Sequence, residues 1–358
     1  MGIGLRPANL IKMESPVWLW RDWLAAGKLH LLAGRPGTGK TTVAISLAAA
    51  ITNGTKFPDG EVAPQGDVLI WSGEDDVKAT LTPRLYAAGA DLTRCHFIVA
   101  TTTGDGRHRM FDPANDVAHI EETIRKAGTP PKLLLLDPIV SFCPSTTNQG
   151  VRDSLYPIVR LAEQYGIAVI GITHVKKGKG SDFCLEGVLG AQAFGAVARV
   201  VMMTGTNPLD LNWNYLACIK NNLGATGSVF KYRVQECDFT NLDNEIRSSF
   251  IEWGGSADSA TPNNPRQTEL AERFLVAQLD AGPKLQTHLM ELGAMVGLSQ
   301  AALRRAKKSL GIRSFRDEGR WWWELPYQHV QDAQGSHNGD VEPDANVEHV
   351  ERLGHLLQ

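Results

Sequence analysis

One run constrains this 358-residue chain more than any other: Gly34-Arg35-Pro36-Gly37-Thr38-Gly39-Lys40-Thr41. It fits G-x-x-x-x-G-K-[ST] at every fixed position, the pattern of a loop that cradles phosphates. Gly34, Gly37 and Gly39 let the backbone turn tightly, so that successive N–H groups face inward at phosphate oxygens. In such a cradle Lys40 neutralises the β- and γ-phosphates of ATP, and the Thr41 hydroxyl ligates Mg²⁺. Pro36, Thr38 and Thr42 complete the expected binding stretch. Lys28 to Ala33 reads as a strand entering the loop, and Thr42 to Ile51 as a helix leaving it with its positive end at the anion. A strand–loop–helix unit of this kind belongs to an open α/β sheet.

The segments that follow supply chemistry to the same edge. Asp67 to Ser72 predicts a second strand, ending in Gly73-Glu74-Asp75-Asp76. Carboxylates at the carboxyl end of a strand face the ligand crevice of an open α/β sheet. Glu74 is the candidate general base that orients the attacking water. Asp76 is the expected cap of a helix over Val77 to Ala88, and Asp75 suits either role. His96 to Ala100 predicts a third strand, Thr101 to Met110 a polar connection, and Asp116 to Ala127 a helix. Lys132-Leu-Leu-Leu-Leu-Asp137 is an apolar run ending in an acid. Such a run is buried on both faces of a parallel sheet, and Asp137 would hold Mg²⁺ through a water. Val151 to Gln164 is an amphipathic helix, and Gly166 to Thr173 another buried strand with His174 at its end. His174 is a candidate sensor of the γ-phosphate.

Lys176-Lys-Gly-Lys-Gly-Ser-Asp182 is basic and Gly-rich, and suits either a DNA-contacting loop or a solvated surface. Gly187 to Ala198 reads as a helix, Arg199 to Met203 as a strand, and Asn214 to Lys220 as a strand pairing with Ser228 to Val234. Arg199 and Lys220 stand at strand ends without a nearby acid, which suits phosphate contact across a subunit interface. Ahead of the core, residues 1–27 carry Trp18, Trp20 and Trp23. These fit a base-stacking surface or, preferably, a hydrophobic flap on the sheet edge.

Composition shifts at Gly254, where a linker over 254–266 ends the core of 28–253. Residues 267–326 predict three helices and a two-stranded wing: Gln267 to Leu279, Thr287 to Val296, Ser299 to Leu310, then Ile312 to Leu325. Gly297-Leu-Ser has the form of a helix-turn-helix turn. From Arg304 to Arg320 there are seven basic residues against two acidic, the density that phosphate contact with duplex DNA needs. Residues 327–358 form an acidic tail of disordered composition. Five scattered cysteines with no C-x-x-C pair indicate neither zinc nor a disulfide framework and fit a reducing cytoplasm. A net charge of −3 confines any nucleic-acid surface to local patches. No apolar run approaches the ~20 residues of a membrane span.

From Trp18 to Pro326 the chain resembles RepA-like, RecA-fold ATPases of the AAA type, related to hexameric plasmid and phage replicative helicases. GRPGTGKTT, the GEDD box, LLLLDP, the His174 strand end, AQAFGAVARVV, KNNLGATG and LRRAKKSLGI carry the resemblance. It implies a RecA-like α/β core with a mainly parallel sheet and a small C-terminal winged helix, binding ATP and Mg²⁺. It implies Glu74 as catalytic carboxylate, Asp137 as Walker B acid, His174 as sensor and Arg199 as an arginine finger for the neighbouring subunit. Lys220 matches the lysine of a trans-acting K-x-R motif, whose arginine is here Asn222. The implied assembly is a homo-oligomeric, hexameric ring holding single-stranded DNA in central loops. The expected activity is helicase or translocase work in DNA replication. Two alternatives stand beside it: a DNA-bound ATPase switch or assembly factor, and a RadA-like recombination mediator.

Overall fold

The computed structural model describes residues 4–102, 106–145, 147–175, 191–206, 212–226, 228–241, 244–256, 267–295, 298–317 and 319–326. In chain order the first part comprises β1 (Trp18–Trp20), β2 (Leu24–Ala25), β3 (Leu29–Gly34), α1 (Lys40–Asn53), β4 (Val68–Ser72) and α2 (Thr82–Ala87). Then come β5 (Cys95–Phe97), β6 (Ala100–Thr102), β7 (His108–Met110), α3 (Val117–Ala127), β8 (Leu133–Asp137), α4 (Asn148–Tyr165) and β9 (Ala168–His174). The core ends with α5 (Ala191–Val197), β10 (Val200–Thr206), β11 (Asn214–Asn221), β12 (Val229–Asn241) and β13 (Asn244–Ser256).

Nine strands form one sheet in the order β13-β12-β11-β10-β3-β9-β8-β4-β5. From β10 to β5 every pairing is parallel, and β11, β12 and β13 extend the sheet antiparallel. The inner parallel strands are largely apolar because both faces are covered, whereas the edge strand β5 is partly exposed. The leucine run of β8 divides between them. Leu133 and Leu135 join the core beneath α1 and α2, while Leu134 and Leu136 join the core beneath α3, α4 and α5. The sheet is the mainly parallel α/β architecture expected from the sequence.

The preferred reading of the aromatic lead-in holds, and several other local expectations are corrected. The aromatic lead-in is part of the core. Trp20 and Trp23 are buried, stack on each other at 4.7 Å, and meet Phe57 and Phe230. They therefore act as the hydrophobic flap and not as a base-stacking surface. The expected helix from Val77 to Ala88 is divided: Val77–Leu81 is a π-helical turn, and α2 begins at Thr82 with Pro83 in its first turn. Proline has no N–H to continue a helical ladder from the preceding turn. The expected third strand stops at Phe97. Ala100–Thr102 and His108–Met110 pair apart from it as β6 and β7, tied down by the buried Asp116. Its carboxylate accepts from Thr101 Oγ1 at 2.7 Å and from both terminal nitrogens of Arg109 at 2.6 and 2.7 Å.

The expected pairing of Asn214 to Lys220 with Ser228 to Val234 is present as β11 and β12, but β12 is longer than expected and a further strand, β13, pairs with it. β12 and β13 pair from Phe230↔Ser256 to Asn241↔Asn244, so the core runs past the expected linker start at Gly254. This hairpin packs on the outer side of α1, where the Trp253 indole N–H donates to Ser46 Oγ at 2.9 Å. That cover explains why α1 is apolar nearly all round, a pattern found in helices with no solvent face.

The C-terminal unit comprises α6 (Gln267–Leu279), β14 (Lys284–Leu285), α7 (Gln286–Met295), α8 (Gln300–Ser309), β15 (Arg313–Asp317) and β16 (Arg320–Glu324). Its sheet has the order β14-β16-β15, one strand more than expected. Phe274, Leu275, Leu289, Leu303 and Trp323 lie in a core of its own. Ser299 caps α8 by accepting from Ala302 N at 3.1 Å. The expected basic loop at 176–182 and the tail at 327–358 lie outside the described residues, as does most of the expected linker. No helix among the described residues is long and apolar enough to cross a membrane.

Candidate nucleotide site

The loop from Gly34 to Thr41 leaves the carboxyl end of β3. Gly37 and Gly39 adopt φ of 81° and 76°, the left-handed region that glycine enters without steric cost. Gly34 has no room for a side chain, since a Cβ would come within 2.0 Å of Thr204 Oγ1. Neighbouring strands brace the loop. Thr38 Oγ1 lies 2.7 Å from Thr204 Oγ1 on β10, and the Tyr232 hydroxyl on β12 donates to Thr38 O at 2.5 Å. These two supports were not singled out from sequence. Tyr232 falls within an alternating strand pattern, but nothing local marks it as touching a loop about 190 residues earlier.

Lys40 is buried, and its ammonium donates to Arg35 O at 3.0 Å. Burial pushes its pKa down, opposed by the carboxylates of Asp137 and Glu74. Thr41 Oγ1 donates to Asp137 Oδ2 at 2.6 Å. Burial pushes the Asp137 carboxyl up; the Thr41 bond opposes this, while the charges of Glu74 and Asp75 add to it. Thr42 is buried in the first turn of α1, and Pro36 is exposed on the loop.

Strand register brings the other groups to this edge. Ser72 of β4 pairs with Asp137 of β8, so Gly73 and Glu74 emerge beside it. Gly73 N donates to Asp137 O at 2.8 Å. Gly34 pairs with His174 of β9, and His174 Nε2 lies 3.8 Å from Glu74 Oε1. Among the described residues, His174 Nδ1 and the neighbouring Thr173 Oγ1 are buried without a hydrogen-bond partner. Asp75 is engaged by Arg84 Nη1 at 2.7 Å. Asp76 Oδ1 accepts from Lys78 N and Ala79 N, which makes it the cap of the following turn.

Lys40, Thr41, Glu74, Asp137 and His174 thus converge on one crevice. Residues 10–180 match the family model of the AAA domain. That stretch contains the whole crevice, from the P-loop to His174. Among solved structures, a crystal structure of the RadB recombinase shares 16% identity, covering 59% of this chain and 89% of that chain, with a TM-score of 0.40. A likeness of that size is too slight to build on. No curated protein sequence matches the chain.

Arg199 and Lys220 are not at this crevice within the chain. Arg199 N donates to Leu29 O, and Val200 pairs with His30. Both residues therefore sit at the amino edge of the sheet, on the order of 15 Å of strand from the loop. They are close to each other. Burial pushes the Lys220 pKa down, and the Arg199 charge adds to the shift. Lys220 Nζ donates to Gly195 O and to Ala198 O, closing the end of α5. Asn222 N donates to Arg199 O at 2.9 Å.

The donors suit a hard divalent cation. Thr41 offers a hydroxyl beside the Asp137 carboxylate, and Mg²⁺ favours one or two protein oxygens completed by water and phosphate. Three carboxylates, Asp137, Glu74 and Asp75, face one buried lysine and Arg84, so added positive charge would relieve the crevice.

Proposed function

We propose that this protein hydrolyses ATP in a Mg²⁺-dependent reaction as a RepA-like oligomeric ATPase and couples turnover to movement on DNA. The supporting observation is the meeting of Glu74, Asp137, Thr41 and His174 around the P-loop lysine. In this reading the loop N–H groups and Lys40 hold the β- and γ-phosphates. Mg²⁺, held by Thr41 and by Asp137 through water, would offset phosphate charge. Glu74 accepts a hydrogen bond from the attacking water and aligns it with the γ-phosphorus. Its exposed carboxylate has no salt bridge to Lys or Arg among the described residues, whereas Asp75 is held by Arg84. His174 contacts Glu74 and would exchange that contact for the γ-phosphate.

The rest of the site comes from a second copy in this reading. Arg199 would reach the phosphates of a neighbouring subunit, since it lies at the opposite edge of its own sheet. A head-to-tail interface of this kind repeats into a ring where the rotation closes, and into a filament where it does not. The C-terminal unit is a winged helix in this reading, docking on duplex DNA through α8 and the wing. ATP turnover assayed with and without Mg²⁺ and single-stranded DNA tests the proposal. Stimulation by both is expected, and a monomer indifferent to DNA would remove the translocase.

One observation favours a second reading, a DNA-bound ATPase switch without unwinding. Asn222 stands where the trans-acting arginine is expected, and the Lys220 ammonium is already occupied by backbone carbonyls. Unwinding of a forked duplex separates the two readings.

A further inference from the structure

The wing of the C-terminal unit carries a large exposed aromatic that its own fold does not use. In β16 the three consecutive tryptophans have different fates. Trp323 is buried against the helices, with Lys307 Nζ 5.4 Å from its ring centroid. Trp322 points to the other face and stacks on Phe315 at 6.5 Å with an interplanar angle of 14°. Trp321 is 53% exposed, and among the described residues no ring or cation stacks on it.

Alternation along a strand places Trp321 on the same face as Trp323, about 7 Å nearer the tip. Its cross-strand partner is Arg316, and directly opposed residues share a face. Arg316 is fixed across the tip by donating from Nε to Gly319 O at 3.3 Å. The helix side of the wing therefore continues outward from the core as an indole flanked by a guanidinium. α8 borders this face through Lys307 and bears the exposed Arg304 and Lys308. Asp317 and Glu324 stand opposite Arg320 and Arg313 in the register, and among the described residues Arg304 and Lys308 form no salt bridge with a carboxylate.

An unpaired indole within a cationic surface matches the chemistry of an unpaired nucleobase on a phosphate backbone. Exposed aromatics stack on single-stranded bases, whereas bases inside a duplex already have both faces covered. We propose that Trp321 is a base-stacking residue: the wing holds the first unpaired base beyond a duplex whose phosphates lie on α8. This inference rests on the DNA-binding reading above and deepens it, assigning the C-terminal unit to junctions between duplex and single strand.

The test uses the full-length chain and fluorescence anisotropy on two labelled DNAs, a blunt duplex and the same duplex with a single-stranded extension. Trp321→Ala should weaken binding to the extended DNA about tenfold, the scale of one lost base–aromatic stack, and leave the blunt duplex unchanged. Trp321→Phe should restore most of the loss. Arg304→Ala with Lys308→Ala should weaken both DNAs. Equal weakening on both DNAs by Trp321→Ala, or none on either, overturns the stacking role while DNA binding stands. Failure of the unaltered protein to bind either DNA overturns the DNA reading itself, and this inference with it. Trp321 is exposed, so an unchanged melting temperature is expected of the variant and separates lost contact from lost fold.

Discussion

At the scale of single residues, the crevice makes specific demands on charge. Lys40 sits among carboxylates with little solvent, so Lys40→Ala removes the phosphate partner and leaves acidic repulsion behind. It should abolish nucleotide binding, with fluorescent ATP analogue titration as the check. Within the sheet, on β3, His30 is buried and neutral: its Nδ1–H donates to Val169 O, and Nε2 accepts from Ala25 N at 2.9 Å. Burial holds its pKa down to about 4 from 6.5. The unfolded chain takes up this proton as pH falls through 6.5, while the folded chain resists until about 4. Stability should therefore be full above pH 6.5 and decline toward pH 4, by up to about 3 kcal/mol from this one group. Urea unfolding at pH 7 and pH 4.5 checks this, and His30→Phe should flatten the dependence. An unchanged pH slope in His30→Phe would contradict it.

At the scale of elements, the β12–β13 hairpin is the feature that shapes the site from outside the motifs. Tyr232→Phe deletes the hydroxyl that donates to Thr38 O and also meets the Thr204 side chain. It should cost about 1 kcal/mol of stability and raise the KM for ATP more than it lowers kcat, read from steady-state turnover. A variant with unchanged KM would separate the hairpin from the loop. The hairpin also marks where the sequence ceased to be legible. The inner parallel strands were readable because they are largely apolar runs buried on two faces, and the P-loop, the acidic strand ends and His174 followed from their positions on those runs. β13 was not readable. Asn244 to Ser256 mixes polar and apolar residues, because one side packs on α1 and α2 while the other meets solvent. Trp20 and Trp23 were ambiguous for a related reason: an aromatic pair has one composition whether it meets a base or Phe57 and Phe230. The engagement of Lys220 with α5 was hidden as well, since backbone carbonyls leave no mark in side-chain patterns.

At the scale of the whole molecule, the two edges of the sheet divide the chemistry. The carboxyl edge holds Lys40, Thr41, Glu74, Asp137 and His174, and the amino edge holds Arg199 and Lys220. A hydrolysis site that needs both must join two chains. An arginine supplied in this way can be worth about 10³–10⁵ in kcat, so Arg199→Ala should bind ATP normally and hydrolyse it far more slowly. The site is tested most directly by mixing two inactive variants, Lys40→Ala and Arg199→Ala, in equal amounts and measuring ATP turnover with single-stranded DNA. Each interface that pairs an intact loop with an intact arginine should regain activity, about a quarter of the unaltered rate if subunits assort freely. Turnover no higher than that of the separate variants, or full activity in Arg199→Ala alone, would contradict a site built from two chains.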